Sequence, residues 1–127
     1  MTNFLGQHWL IEGYHCDAKL LSDPIAMETI LQKAAEIMGA TIVTSTFHHF
    51  SPLGVSGVVV IQESHLTIHT WPEYDYAAID IFTCGEIDMD AGVEYLQKAL
   101  VANELKIVKM KRGDLDKKLK ELSLIHI

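Results

Sequence analysis

Between Ser45 and Glu86 the chain gathers His48, His49, His65 and His69, the serines Ser56 and Ser64, Cys84, and the carboxylates Glu63, Glu73, Asp75 and Asp80. Histidine titrates near neutral pH and serves as a general base or a metal ligand. Serine and cysteine become nucleophiles or proton donors once a neighbouring group sets their ionisation. Metal, hydrolytic and covalent chemistry are all open to such a set, and spacing must choose among them.

His65 and His69 are four residues apart, which on a helix would turn both rings to one side for a metal. The intervening Leu66, Thr67 and Ile68 favour a strand, where four residues span about 13 Å and one ion cannot reach both rings. Paired cysteines with structural-zinc spacing are absent, so no metal site is expected. The nucleophile elbow of serine hydrolases, Gly-x-Ser-x-Gly, is also missing, and Gly54-Val55-Ser56-Gly57 has the wrong spacing for it.

Longer phrases are more specific. Thr44-Ser45-Thr46-Phe47-His48, Gly54-Val55-Ser56-Gly57-Val58-Val59, Glu63-Ser64-His65-Leu66-Thr67-Ile68-His69, Trp71-Pro72-Glu73, Ala78-Ile79-Asp80 and Phe82-Thr83-Cys84-Gly85 follow one another in order. In these phrases the chain resembles the small prokaryotic S-adenosylmethionine decarboxylase proenzymes, a pyruvoyl-dependent family. The likeness runs more loosely from Gly6-x-His8 and Cys16-Asp17 to the second helix.

That resemblance implies a zymogen that cuts itself between Glu63 and Ser64 into a β chain of residues 1–63 and an α chain of residues 64–127. Ser64 would become the pyruvoyl group, the covalent cofactor that takes the substrate amine as a Schiff base and acts as an electron sink. By the same carry-over, Ser56 assists processing, His69 is the base for the Ser64 α-proton, and Cys84 returns a proton after carbon dioxide leaves. Phe50 would stack on the adenine, with Phe4 as a looser candidate for its other face, and Glu73 would hold the ribose hydroxyls. The family also implies a homodimer with a shared cleft, and a place in spermidine synthesis.

Asp75 stands where the family leads one to expect glycine, His49 where it has a basic residue, Gln7 in place of arginine, and Gln62 is a milder change. These departures keep a second substrate class open. Some relatives look repurposed for ornithine or arginine, whose side-chain cation Asp75 would pair, whereas Glu73 and Phe50 favour S-adenosylmethionine. A third reading, an inactive subunit that keeps the fold, is opposed by the intact set of Ser56, Ser64, His69 and Cys84.

Composition narrows the classes further. The 127 residues are 49% apolar with a formal charge of −7, which fits one domain. Basic residues cluster only at Lys109–Arg112 and Lys117–Lys120, too little for a nucleic-acid stripe. No apolar run reaches the ~20 residues a membrane helix needs. Without a signal-peptide pattern, a soluble cytoplasmic protein with reduced Cys16 and Cys84 is expected.

Along the chain, periodicity and capping signals predict a strand over Gln7–Cys16, a helix opened by Ser22-Asp23-Pro24 and closed by Gly39, and a strand over Ala40–Phe50. A turn at Ser51–Gly54 leads to strands Val55–Ile61 and Leu66–Trp71, a turn at Pro72–Asp75, and the strand Ala77–Thr83. A second helix capped by Asp88 or Asp90 and a last strand, Leu105–Met110, complete a domain expected over residues 1–115. A charged tail follows at 116–127. Because strands and helices do not alternate strictly, the expectation is α+β: a two-layer sandwich of mainly antiparallel sheet with two helices on one face.

Overall fold

The computed structural model describes residues 3–50 and 52–117. Helix α2 (Pro24–Ile37) starts where the sequence signals it: the Asp23 carboxylate accepts from Ile25 and Ala26 N–H, and proline occupies the first turn. Gly39 leaves the helix with φ +86°, a backbone conformation that costs glycine nothing. Asp88 caps α3 (Met89–Ala99) by accepting from Ala91 N–H. A one-turn helix, α1 (Ala18–Leu21), capped by Asp17, was not expected from the sequence.

The strands are β1 (Phe4–Tyr14), β2 (Ile42–His49), β3 (Val55–Ile61), β4 (Ser64–Trp71), β5 (Tyr76–Thr83) and β6 (Glu104–Asp114). They form one sheet in the order β2-β3-β4-β5-β1-β6, antiparallel at every seam. Period-two alternation divides its faces. Trp9, Ile11, Val55, Val59, Leu66, Ile68, Ile79 and Ile81 are buried on one side, in one core with Met27, Leu31 and Leu96 of α2 and α3. The expected two-layer α+β architecture is the one found.

Register explains the departures in length. β1 ends at Tyr14, not Cys16, because His15 turns to φ +57°. β6 runs on to Asp114, since β1 pairs with it from Tyr14↔Glu104 to Phe4↔Asp114. Lys109 Nζ lies 4.1 Å from the centre of the Trp9 ring, so its apolar stem covers core while its charge reaches water. Of the expected charged tail, residues 118–127 lie outside the described residues, as does Ser51 of the expected Ser51–Gly54 turn.

Polar groups inside this core are paired. Thr70 on β4 is buried, and its Oγ1 accepts from Val55 N–H at 2.9 Å and donates to the Leu21 carbonyl at 2.8 Å. It ties the start of β3 to α1 beneath the residues described next.

Candidate active site

β3 and β4 pair as far as Ile61↔Ser64, so Gln62 and Glu63 form the whole turn between them. Glu63 holds φ +63° there, a left-handed conformation that crowds Cβ and costs a non-glycine residue about 1–2 kcal/mol. The Ser64 hydroxyl donates to the Glu63 carbonyl oxygen, which holds it against the group a self-cleaving serine must attack. It also accepts from Cys84 N–H at 2.9 Å. Cys84 arrives because Thr83, the last residue of β5, is the register partner of Ser64.

Cys84 is exposed and lines a cleft of about 690 Å³ with Phe4, Gly6, Gln7, Glu86 and Lys111. A Cβ on Gly6 would lie 2.7 Å from the Thr83 carbonyl oxygen and 3.3 Å from Cys84 Sγ, so only glycine lets β1 approach this end of β5. Cys16, the other free cysteine, is buried. Burial, helped by the charge of Asp75, pushes its thiol up to about 11.

A second cluster sits at the opposite end of β3 and β4. Ser56 and His69 are register partners, with Oγ 2.8 Å from Nδ1. Beside them a depression of about 300 Å³ is lined by Phe50, Trp71 and Glu73 as well as by Ser56 and His69. His69 lies five positions along β4 from Ser64, roughly 16 Å. One chain therefore brings Ser64, Glu63 and Cys84 together, and separately Ser56, His69, Phe50 and Glu73, but does not join the two groups. Asp75 belongs to neither. It closes the 3₁₀ turn Pro72–Tyr74 with φ +53°, its N–H donating to the Pro72 carbonyl and its carbonyl accepting from Cys16 N–H.

A family model described as S-adenosylmethionine decarboxylase matches residues 7–113. The chain belongs to the S-adenosylmethionine decarboxylase family. It is 57% identical over 113 residues to the S-adenosylmethionine decarboxylase proenzyme of Thermotoga petrophila, a match covering 88% of this chain and 87% of that one. With the proenzyme of Caldanaerobacter subterraneus it shares 49% over 119 residues, 93% of this chain and 96% of the other. The crystal structure of the adenosylmethionine decarboxylase from Aquifex aeolicus superposes with a TM-score of 0.80 at 30% identity, covering 88% of this chain and 93% of that chain.

Within this S-adenosylmethionine decarboxylase fold, the departures at positions 7, 49 and 75 fall in different places. Asp75 has a backbone reason, since left-handed positions favour glycine and tolerate aspartate. Gln7 lines the Cys84 cleft and accepts from Trp9 Nε1. His49 is exposed at the end of β2. Sequence reasoning gave His48 no role, yet its ring centroid lies 4.5 Å from that of Phe50 at 67°. The signal was present: on a strand, residues two apart share a face.

Proposed function

We propose that the chain cuts its own backbone between Glu63 and Ser64, and that the two-chain product is a pyruvoyl-dependent S-adenosylmethionine decarboxylase acting as a homodimer. The observation that carries this reading is the Ser64 hydroxyl, bonded to the Glu63 carbonyl and to Cys84 N–H within a left-handed turn. Membership of the family supplies the substrate, and the decarboxylated product serves spermidine synthesis in the cytoplasm. Among the described residues no helix is long and apolar enough to cross a membrane.

Self-cleavage follows from these groups. Ser64 Oγ bonds to the Glu63 carbonyl carbon, its proton passes to the Ser64 nitrogen, and the C–N bond breaks to leave an ester. Cys84 N–H, bonded to Oγ in the uncut chain, steadies the oxygen before attack. A base then takes the Ser64 α-proton and the Cβ–Oγ bond breaks, releasing the Glu63 carboxylate. Tautomerisation to an imine and addition of water, with loss of ammonia, leave the pyruvoyl ketone. The base is His69, oriented by Ser56, whose hydroxyl also steadies the tetrahedral oxygen.

Since His69 lies roughly 16 Å from Ser64 along the strand of one chain, we assign the His69 that acts on each Ser64 to a second copy. The sheet face turned away from the helices suits that contact. It carries Leu10, Val58, Phe82, Val108 and Met110 beside a polar cluster in which Tyr14 and Tyr76 both donate to Glu12 Oε2, at 3.1 and 2.7 Å. In such a dimer, Phe50 and Glu73 of one copy face Cys84 and Phe4 of the other.

The pyruvoyl group supplies an electrophilic ketone that holds the substrate amine and accepts the electron pair of the breaking bond. The protein's own residues do the rest. Phe50 stacks on the adenine, Glu73 accepts from the ribose hydroxyls, and the Cys84 thiol gives its proton to the carbon that lost the carboxylate. Asp75, held in its turn outside the Phe50–Glu73 depression, gives an ornithine or arginine reading no support.

Intact mass and carbon dioxide release test the proposal together. Wild type is expected to yield two chains of nearly equal length, the C-terminal one opening on pyruvoyl, and to release carbon dioxide from S-adenosylmethionine. Ser64→Ala is expected to stay whole. An uncut, serine-containing wild type after prolonged incubation would overturn the reading, as would a cut protein that turns over only ornithine or arginine.

A further inference from the structure

Phe50 is 52% exposed, one residue beyond the end of β2. Its backbone is fixed by a hydrogen bond from its N–H to the Gly54 carbonyl, 2.6 Å long. A ring exposed to that extent keeps side-chain freedom even on a fixed backbone, and that freedom must be lost when a ligand stacks on it.

One contact limits it. The His48 ring meets the Phe50 ring edge to face, 4.5 Å between centroids, a geometry that aromatic quadrupoles favour. His48 and Phe50 share a face, while Phe47, the residue before His48, turns to the helix side. There its ring occupies the space that a Cβ on Gly57 would need. His48 is also the register partner of Ser56. It lines, with Ser56 and His69, a depression of about 290 Å³ adjoining the one that holds Phe50 and Glu73. The imidazole thus stands against Phe50 from a depression that Glu73 does not line.

We propose that His48 is a positioning residue: it braces the Phe50 ring as a platform for the planar aromatic part of the substrate and so sets substrate affinity. The proposal rests on the reading of Phe50 as a stacking residue. It adds a determinant of affinity that touches neither the scissile bond nor the reacting carbon. The pre-set ring lowers the ordering cost of stacking, and the benefit goes only to ligands that have a planar base.

The test is calorimetry of adenosine on the processed enzyme, with steady-state kinetics on S-adenosylmethionine, for wild type, His48→Ala, His48→Phe and Phe50→Ala. Loss of one edge-to-face contact is expected to weaken adenosine binding and raise KM by about 3- to 10-fold in His48→Ala. The self-cleavage rate and kcat should stay within about twofold, and His48→Phe, which keeps a ring edge, should restore binding. Adenosine binding unchanged in His48→Ala overturns the proposal, as does a His48→Phe as weak as the alanine variant. A fall in kcat or in self-cleavage matching the rise in KM also overturns it. If Phe50→Ala weakens adenosine while His48→Ala does not, the brace alone fails. If Phe50→Ala also leaves adenosine binding unchanged, the stacking reading falls with it.

Discussion

Ser56 Oγ and His69 Nδ1 stand 2.8 Å apart as register partners, at the end of the β3–β4 ladder opposite to the Glu63–Ser64 bond. If the base comes from a second copy, two defective chains should repair one another. Ser64→Ala and His69→Ala, each uncut alone, are unfolded together and refolded as a mixture. The His69→Ala chain, whose Ser64 then meets an intact His69, is expected to be cleaved while the Ser64→Ala chain stays whole. Gel electrophoresis of the mixture decides: two uncut chains would place the base within the same subunit.

The two cysteines should separate by reactivity and by pH. Exposed Cys84 is expected to react with a disulfide reagent at pH 7.5, and buried Cys16 only after unfolding. The folded Cys16 thiol is raised to about 11, above its ordinary value of 9.0. The unfolded state therefore loses this proton first, and the stability the neutral thiol contributes is present below about pH 9 and lost as pH rises through about 11. Urea midpoints across that window should fall for wild type and fall less for Cys16→Ala.

Loss of the thiol proposed as proton donor should leave self-cleavage intact. Cys84→Ala is expected to process, because its backbone N–H still reaches Ser64, while turnover drops by about 10²–10⁴-fold. A change in kcat smaller than about twofold removes Cys84 from the chemistry.

Neighbouring carboxylates should part company. Glu73→Gln is expected to raise KM for S-adenosylmethionine at least tenfold, through loss of a charge-assisted acceptor worth about 1.5–3 kcal/mol. Asp75→Gly should leave that KM unchanged and, by freeing a left-handed position, raise stability by up to about 1 kcal/mol. A severe loss of turnover in Asp75→Gly would return Asp75 to the substrate site.

Beneath the site, Thr70→Val keeps the shape and strands two partners, Val55 N–H and the Leu21 carbonyl. A cost of about 1–3 kcal/mol in urea denaturation is expected. A neutral outcome would mean that Thr70 does not tie β3 to α1.

Much of this was legible in the chain. Val55–Ile61 reads as a strand and is one, and Asp23-Pro24 announces α2, because both are local signals of side-chain shape and capping. The one-turn α1 was illegible, since four residues carry no periodicity. The end of β6 was hidden as well, because Lys109, Lys111 and Arg112 look like a solvated run until β1 and β5 lay aromatic rings beneath them. Sequence phrases named Ser56, Ser64, His69 and Cys84 as one set. Ser64 and His69 lie five positions apart on one strand, so their separation was legible; that Cys84 joins Ser64 while Ser56 joins His69 is a matter of strand register, which no spacing along the chain discloses.

The sheet order has a consequence for the life of the molecule. A cut after Glu63 gives β1, β2 and β3 to one piece and β4, β5 and β6 to the other, yet β1 lies between β5 and β6, and β3 lies against β4. The pieces are interleaved like the fingers of clasped hands, and neither owns a continuous sheet. Separating them means opening three ladders together, so the nick loosens nothing. Once unfolded, however, the halves must find each other as independent solutes, without the short turn that first aligned β3 with β4. Maturation thereby turns a chain that can refold by itself into an assembly whose reassembly depends on concentration, and repeated heating and cooling should exhaust the processed form long before the Ser64→Ala precursor.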